Sequence, residues 1–400
     1  MTDREIENLI SPFVERQQSI EATIINTIAE RVREIGTLSK KDVYQLTQLY
    51  KTGSSAKYLN RLLSETLSIQ ERDVKSMIKN VAIDTYADAK PFYDYRHKTQ
   101  IPFEHNTKLQ RSVKAVATQT ANTFKNLSNS KATGFMIRDA KNPTLLKFQT
   151  LPEAYQSVID EAVHSIQSGV LDFDTAMRRT LKQLVDSGFR RAYWDSGYTR
   201  RLDSIVRMNI LGGIRQINQQ VQMQIAEEIK ADGIELSAHS FSAPDHEPVQ
   251  GHIFKIEEFN KLQSDMAFED VNGKKFDAIQ RPIGEWNCKH FTTAIIIAKH
   301  KPTWSAEELE ELKRANHKGY TLSNGKKLTM YQCEQMQRKY ETDIRYAKEG
   351  YMMAKKAGNE KLMEEYKTKL ERLNREYTQF SKDCGLKKQK NKASVAGFSY

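Results

Sequence analysis

The side chains with the most chemistry in them fall in one stretch and its sequel. SAHSFSAPDHEPVQGHIFKI, residues 237–256, holds His239, His246 and His252, and EWNCKH, residues 285–290, adds Cys288 and His290. Imidazole nitrogens and a thiolate are donors that zinc takes into a tetrahedral shell. The spacings, H-x6-H-x5-H and then C-x-H, match no short zinc knuckle or helical pair. In an extended segment, though, Cys288 and His290 share a face. His239, His246, Cys288 and His290 are therefore the candidate metal ligands. The alternative is that these groups hydrogen-bond within the loops of a small domain. Asp245-His246-Glu247 also supplies the carboxylates and base of a hydrolase or nuclease, but adjacent residues rarely point the same way. Neither the P-loop pattern nor GxGxxG occurs, which argues against an ATP motor.

The segments around these residues read as a small α+β module over 232–300. IELSAHSF at 234–241, GHIFKI at 251–256 and HFTTAIIIA at 290–298 are the convincing strand candidates. A long helix over roughly 199–230 should lead into the module. Leu202, Ile205, Val206, Ile210, Ile214, Ile217, Val221, Ile225 and Ile229 keep a three-to-four spacing, and Asp232-Gly233 ends the run. Gly212-Gly213 inside it marks a kink or a close packing point.

The rest is helical in texture. Residues 1–150 read as an N-terminal helical domain. A helix stop is expected at Ile35-Gly36 with a new N-cap at Thr37 or Ser39, and helices broken by longer loops are expected over 91–150. Residues 151–231 read as long helices. In 301–385, Met336, Tyr340, Ile344, Ala347, Tyr351 and Ala354 form one seam, and Tyr366, Leu370, Leu373, Tyr377 and Phe380 a second. Gly358-Asn359 joins them, so a helical hairpin is expected. The fold class is thus mainly α with a small α+β module: an N-terminal bundle, a central β-containing module and a C-terminal hairpin.

Charge singles out the end of the chain. The formal net charge is +11, and residues 301–400 hold 22 Lys/Arg against 14 Asp/Glu, so +8 of it sits there. No acid follows Asp383, whereas Lys387, Lys388, Lys390 and Lys392 do, in what reads as a basic flexible tail over 386–400. Such a tail points to an anionic partner, nucleic acid first. No run of 18 apolar residues occurs, MTDREIENLI lacks the pattern of a secretory signal, and the three cysteines are far apart. A reducing compartment and no membrane span are expected.

Several blocks, taken in order, resemble a known family. They are YTRRLDSIVRMNILGGIRQINQQ, DGIELSAHSFSAPDHEPVQGHIF, IGEWNCKHF, QMQRKYETDIRYAKEG and the terminal SVAGF. Together they are similar to the minor capsid proteins of tailed phages and prophages of Gram-positive bacteria, relatives of the head-morphogenesis proteins. The resemblance covers about 190–400, while the N-terminal bundle shares only length and helical texture. His239, His246, Gly251, Trp286, Asn287, Cys288 and His290 match the family's signature, with Gly251, Trp286 and Asn287 as structural members. Lys289 stands where the family commonly has Arg, and Gln332 where it commonly has an acid.

The resemblance implies a virion protein made late, in few copies, associated with the portal and the head interior, and acting in head assembly, DNA packaging or ejection. Its implied partners are the portal protein, other head proteins and packaged double-stranded DNA. It implies no enzymatic activity and no cofactor, so zinc rests on the residues themselves. Two other readings stay open: a metal-dependent hydrolase or nuclease on the His/Cys cluster, and a free nucleic-acid-binding protein of a mobile element.

Overall fold

The computed structural model describes residues 3–36, 54–127, 132–138, 142, 144–168, 173–192, 199–285, 288–322, 325–395 and 397–399. The expected N-cap at Thr37 or Ser39 lies outside them, as do Trp286 and Asn287. The chain divides into two compact units, each built from three separate stretches. Met1–Ile10, Glu71–Asn122 and Met208–Gln335 form the first; Ser11–Gln70, Thr123–Arg207 and Met336–Tyr400 form the second. These units cut across the consecutive segments drawn from sequence texture.

The first unit is organised by the long helix α7 (Leu202–Ile229), close to its expected bounds. Ile210, Ile214, Ile217, Val221, Ile225 and Ile229 are completely buried along it. Burying each such side chain contributes roughly 1.5–3 kcal/mol. Gly213 proves to be a packing point. A Cβ there would lie 2.5 Å from Thr120 Oγ1, and Asn209 Nδ2 donates to the Thr120 carbonyl at 2.9 Å. Helix α4 (Thr107–Leu127) therefore approaches α7 closely where a side chain is missing.

The three strand candidates of the module form one antiparallel sheet. Strand β5 (Gly233–Leu236) lies between β6 (Ile253–Lys255) and β9 (Thr292–Ile295). Gln222 Oε1 on α7 accepts from the backbone N–H of Ala294 at 2.8 Å, fixing the helix to the sheet.

The second unit holds a second, four-stranded antiparallel sheet that corrects the reading of 232–300 as the one β region. Its order is β2 (Leu146–Thr150), β1 (Thr133–Arg138), β3 (Arg190–Ala192), β4 (Thr199–Arg201). The hairpin follows expectation in the same unit. Helices α10 (Met330–Ala357, here from Met336) and α11 (Glu360–Asp383) bury Ile344, Ala347, Tyr351 and Ala354 from one seam and Tyr366, Leu370, Leu373, Tyr377 and Phe380 from the other. Gly358 takes φ +69°, and Asn359 Oδ1 caps α11 by accepting from Leu362 N–H at 2.9 Å.

The end of the chain differs from the flexible tail expected over 386–400. A 3₁₀ turn spans Lys390–Ala393, and Ala393 and Val395 are buried. Backbone groups of the segment are held by side chains: Gln389 N–H donates to Tyr377 Oη at 2.9 Å, Gln337 Nε2 to the Lys387 carbonyl at 3.1 Å, and Lys348 Nζ to the Ala393 carbonyl at 2.7 Å. Apolar burial and satisfied carbonyls hold the segment where its lysine content alone suggested a solvated chain.

Candidate metal centre

Strand order explains why residues distant in sequence converge. Leu236 pairs with Thr292, and Glu235 with Ile253. Hence the loop leaving β5, the entry to β6 and the entry to β9 all open at the same end of the sheet. Ser237 extends the pairing: its N–H donates to the Phe291 carbonyl at 2.9 Å, and its Oγ accepts from Phe291 N–H at 2.9 Å. Beyond this point the 243–250 segment folds into tight turns, with His246 N–H donating to the Ala243 carbonyl at 3.0 Å. Gly251 allows the return to β6. It takes φ +72°, and a Cβ there would lie 2.3 Å from Leu309 Cδ2.

Among the described residues, His246, Cys288 and His290 bring one ligand atom each to within 4.8 Å of one another. They are 1%, 2% and 3% exposed. His290 Nδ1 lies 3.5 Å from Cys288 Sγ, and the His290 backbone N–H donates to the same sulfur at 3.4 Å. His246 Nε2 is 2.7 Å from the Arg281 carbonyl. A carbonyl can only accept, so Nε2 carries the proton and Nδ1 keeps the lone pair.

The electrostatics follow from burial and crowding. Burial pushes the Cys288 thiol up, but the hydrogen bond to His246, the charge of Arg215 and a Gly284 backbone hydrogen bond outweigh it and hold the thiol below its ordinary value. Burial lowers His246, but the Cys288 sulfur, the Arg281 carbonyl and Asp245 bring it above the usual imidazole value. His290 is driven well below it by burial, with His239, His246 and Arg215 adding to the effect. The trio thus favours a thiolate on Cys288 beside a His246 that holds its second proton more tightly than usual, and keeps His290 neutral.

The other residues singled out in the sequence take further partners. His239 stands beside the trio, its ring stacked on that of His290 with centroids 4.4 Å apart, and its Nδ1 lies 3.0 Å from the Ser240 carbonyl. His252 pairs with Asp270 at 2.7 Å. The acids flanking His246 serve the frame. Asp245 takes both Nε and Nη2 of Arg281, at 3.0 and 3.1 Å; Glu247 accepts from Asn316 Nδ2 at 2.6 Å and pairs with His317 Nε2 at 2.7 Å. Ser242, whose Oγ lies 3.4 Å from His290 Nε2, and Arg215 were missed in the sequence. Arg215 sits one position after Ile214 on α7, with nothing in its spacing to mark it.

A family model described as phage minor capsid protein 2 matches residues 1–382. The chain belongs to that family. It is a phage minor capsid protein, a component of the virion, with other head proteins as partners. The match reaches the first residue, so the N-terminal helices belong to it as fully as the later blocks, and it stops short of the terminal SVAGF. No curated protein and no solved structure matches the chain.

The two departures from the family pattern have partners in this minor capsid protein. Lys289 Nζ lies 3.6 Å from Glu334 Oε2, a point-charge pairing that does not need the guanidinium fork. Gln332 closes a reciprocal cap with Thr329: Thr329 N–H donates to Gln332 Oε1 at 3.0 Å, and Gln332 N–H to Thr329 Oγ1 at 3.2 Å. Gln serves that purpose as well as Glu does. Among the described residues, no helix is long and apolar enough to cross a membrane.

Proposed function

We propose that this minor capsid protein sits in the phage head near the portal, docks there through its helices, and sets its basic C-terminal quarter against packaged DNA. The observation that carries the reading is the family match over 1–382. Charge supports the approach to DNA: +8 of the net +11 lies in the last hundred residues. Lys387, Lys388 and Lys390 are exposed, and Lys392 is half-buried. They stand on a segment held to the hairpin, so binding a phosphate costs less ordering than it would on a loose tail. Lysine–phosphate pairing is indifferent to sequence, which suits a protein facing a whole genome.

A hydrolase on the His/Cys cluster is the weaker reading, because Asp245 and Glu247 are committed to Arg281 and to Asn316 and His317. The test is quantitative mass spectrometry of purified particles, counting this chain against the portal protein. A reproducible low copy number that survives high-salt washing is expected. Absence from particles overturns the reading.

A further inference from the structure

The His246–Cys288–His290 cluster is built as a ligand set. In a tetrahedral zinc site, bonds of about 2.3 Å to sulfur and about 2.0–2.1 Å to nitrogen place those two atoms about 3.6 Å apart. Cys288 Sγ and His290 Nδ1 stand at 3.5 Å. All three ligand atoms fall within 4.8 Å of one another, on side chains at most 3% exposed.

The surrounding groups have the orientation that metal-binding histidines need. A ligating histidine gives its second ring N–H to a carbonyl, carboxylate or hydroxyl, which fixes its tautomer. His246 does this with the Arg281 carbonyl, leaving Nδ1 for the ion. His290 has Ser242 Oγ beside Nε2, leaving Nδ1, the nitrogen that faces the sulfur. The His290 backbone N–H already points at Cys288 Sγ, as it would to stabilise a thiolate.

We propose that His246 Nδ1, Cys288 Sγ and His290 Nδ1 bind one zinc ion that ties the loop after β5 to the entry of β9. The donor set is one soft anion and two imidazoles, which suits zinc better than calcium or magnesium. Binding displaces the thiol proton and leaves both histidines neutral. The role is structural: the ion fastens two loops whose connection otherwise rests on hydrogen bonds. The inference is independent of portal docking and DNA binding, since it concerns the chain alone.

The experiment uses the full-length chain purified without an affinity metal. One zinc per chain by elemental analysis is expected, and chelation should lower the melting temperature until zinc is restored. Cobalt(II) added to the stripped protein should give a thiolate-to-cobalt charge-transfer band. That band should vanish in Cys288→Ser and persist in the Cys333→Ala and Cys384→Ala controls, whose sulfurs are also buried. If Cys288→Ser does not fold, chelation and cobalt titration of the unmodified chain still decide. A folded chain that takes up neither zinc nor cobalt overturns the site. A stoichiometric metal whose removal leaves the melting temperature unchanged overturns its structural role.

Discussion

Each compact unit of this capsid protein buries a polar cluster, and the two are built on opposite principles. In the first unit, His246, Cys288 and His290 converge from neighbouring strand ends and can meet as neutral groups and one sulfur anion. In the second, full charges meet. Arg201 Nη2 lies 2.6 Å from Glu21 Oε1 and 3.7 Å from Glu349 Oε2, and Arg345 Nη2 lies 2.7 Å from Asp203 Oδ2. The Arg201 guanidinium also stacks 3.4 Å from the centre of the Tyr346 ring. Among the described residues of this cluster, Glu21, Asp203 and Glu349 face Arg201 and Arg345, so one proton is needed for balance. Burial, with the neighbouring Glu21 charge, pushes Glu349 up to about 8, against Arg201 and Arg345. Asp203 is buried too, yet Arg345 and Arg201 hold it below the ordinary carboxylate range. A cluster of weakly charged donors can be completed by a ligand; a cluster of fixed charges must be completed by its own chain.

Removing one member should expose that difference. Arg201→Ala strands Glu21 and Glu349 in a dry interior and should cost about 3–5 kcal/mol, the usual penalty when one partner of a buried ion pair is deleted. Denaturant unfolding checks it, and a cost below about 1 kcal/mol would show that water already reaches the cluster. In the first unit the frame is more vulnerable than any single charge. Gly251→Ala forces a Cβ onto Leu309 at positive φ and should cost about 1–3 kcal/mol, read by the same method.

The clusters can also be separated by pH. The folded-state value of Glu349 lies above the unfolded one, so its stabilisation is complete below the ordinary carboxylate range and drains away as pH rises through about 8. Across that window the unmodified chain should lose stability relative to Glu349→Gln with a slope approaching about 1.4 kcal/mol per pH unit. Parallel curves would mean that the proton resides elsewhere. The smallest effect belongs to neither cluster. Replacing Lys387, Lys388 and Lys390 with Gln should change stability by less than about 0.5 kcal/mol. It should lower the salt dependence of DNA binding by about 0.9 in log–log slope for each phosphate that a lysine no longer neutralises, measured by titrations at several salt concentrations.

These regions also differ in how far the sequence reveals them. Cys288 and His290 are two apart, and His246 belongs to the histidine-rich stretch whose residue types name it beside them, so the first cluster is legible. The sequence leaves His252 out of the ligands, and it does not show how His239, whose ring stacks on that of His290, stands to the trio, because that depends on which loop face the ring takes. The ion cluster is invisible, since positions 21, 201, 203, 345 and 349 come from three distant parts of the chain and charged residues are expected outside. The hairpin seams and the helix over 202–229 are legible because one face repeats at helical period. The four-stranded sheet is not. In its strand TGFMIR, Thr133, Gly134, Phe135 and Ile137 are buried, Met136 is half-buried and Arg138 is exposed, so no alternation shows. Its partners RRA and TRR carry arginines, with little strand propensity to announce them.

Discontinuity of the second unit sets a clock on biogenesis. Glu21 emerges early from the ribosome, but Glu349 follows about 330 residues later, and at roughly 5–20 residues per second that interval lasts roughly 15–65 s. Through it the first helix carries Ile20, Ile24 and Ile28, which the finished chain buries, while its acid Glu21 meets its counterion Arg201 earlier in synthesis. The C-terminal hairpin is the stretch whose arrival completes the unit.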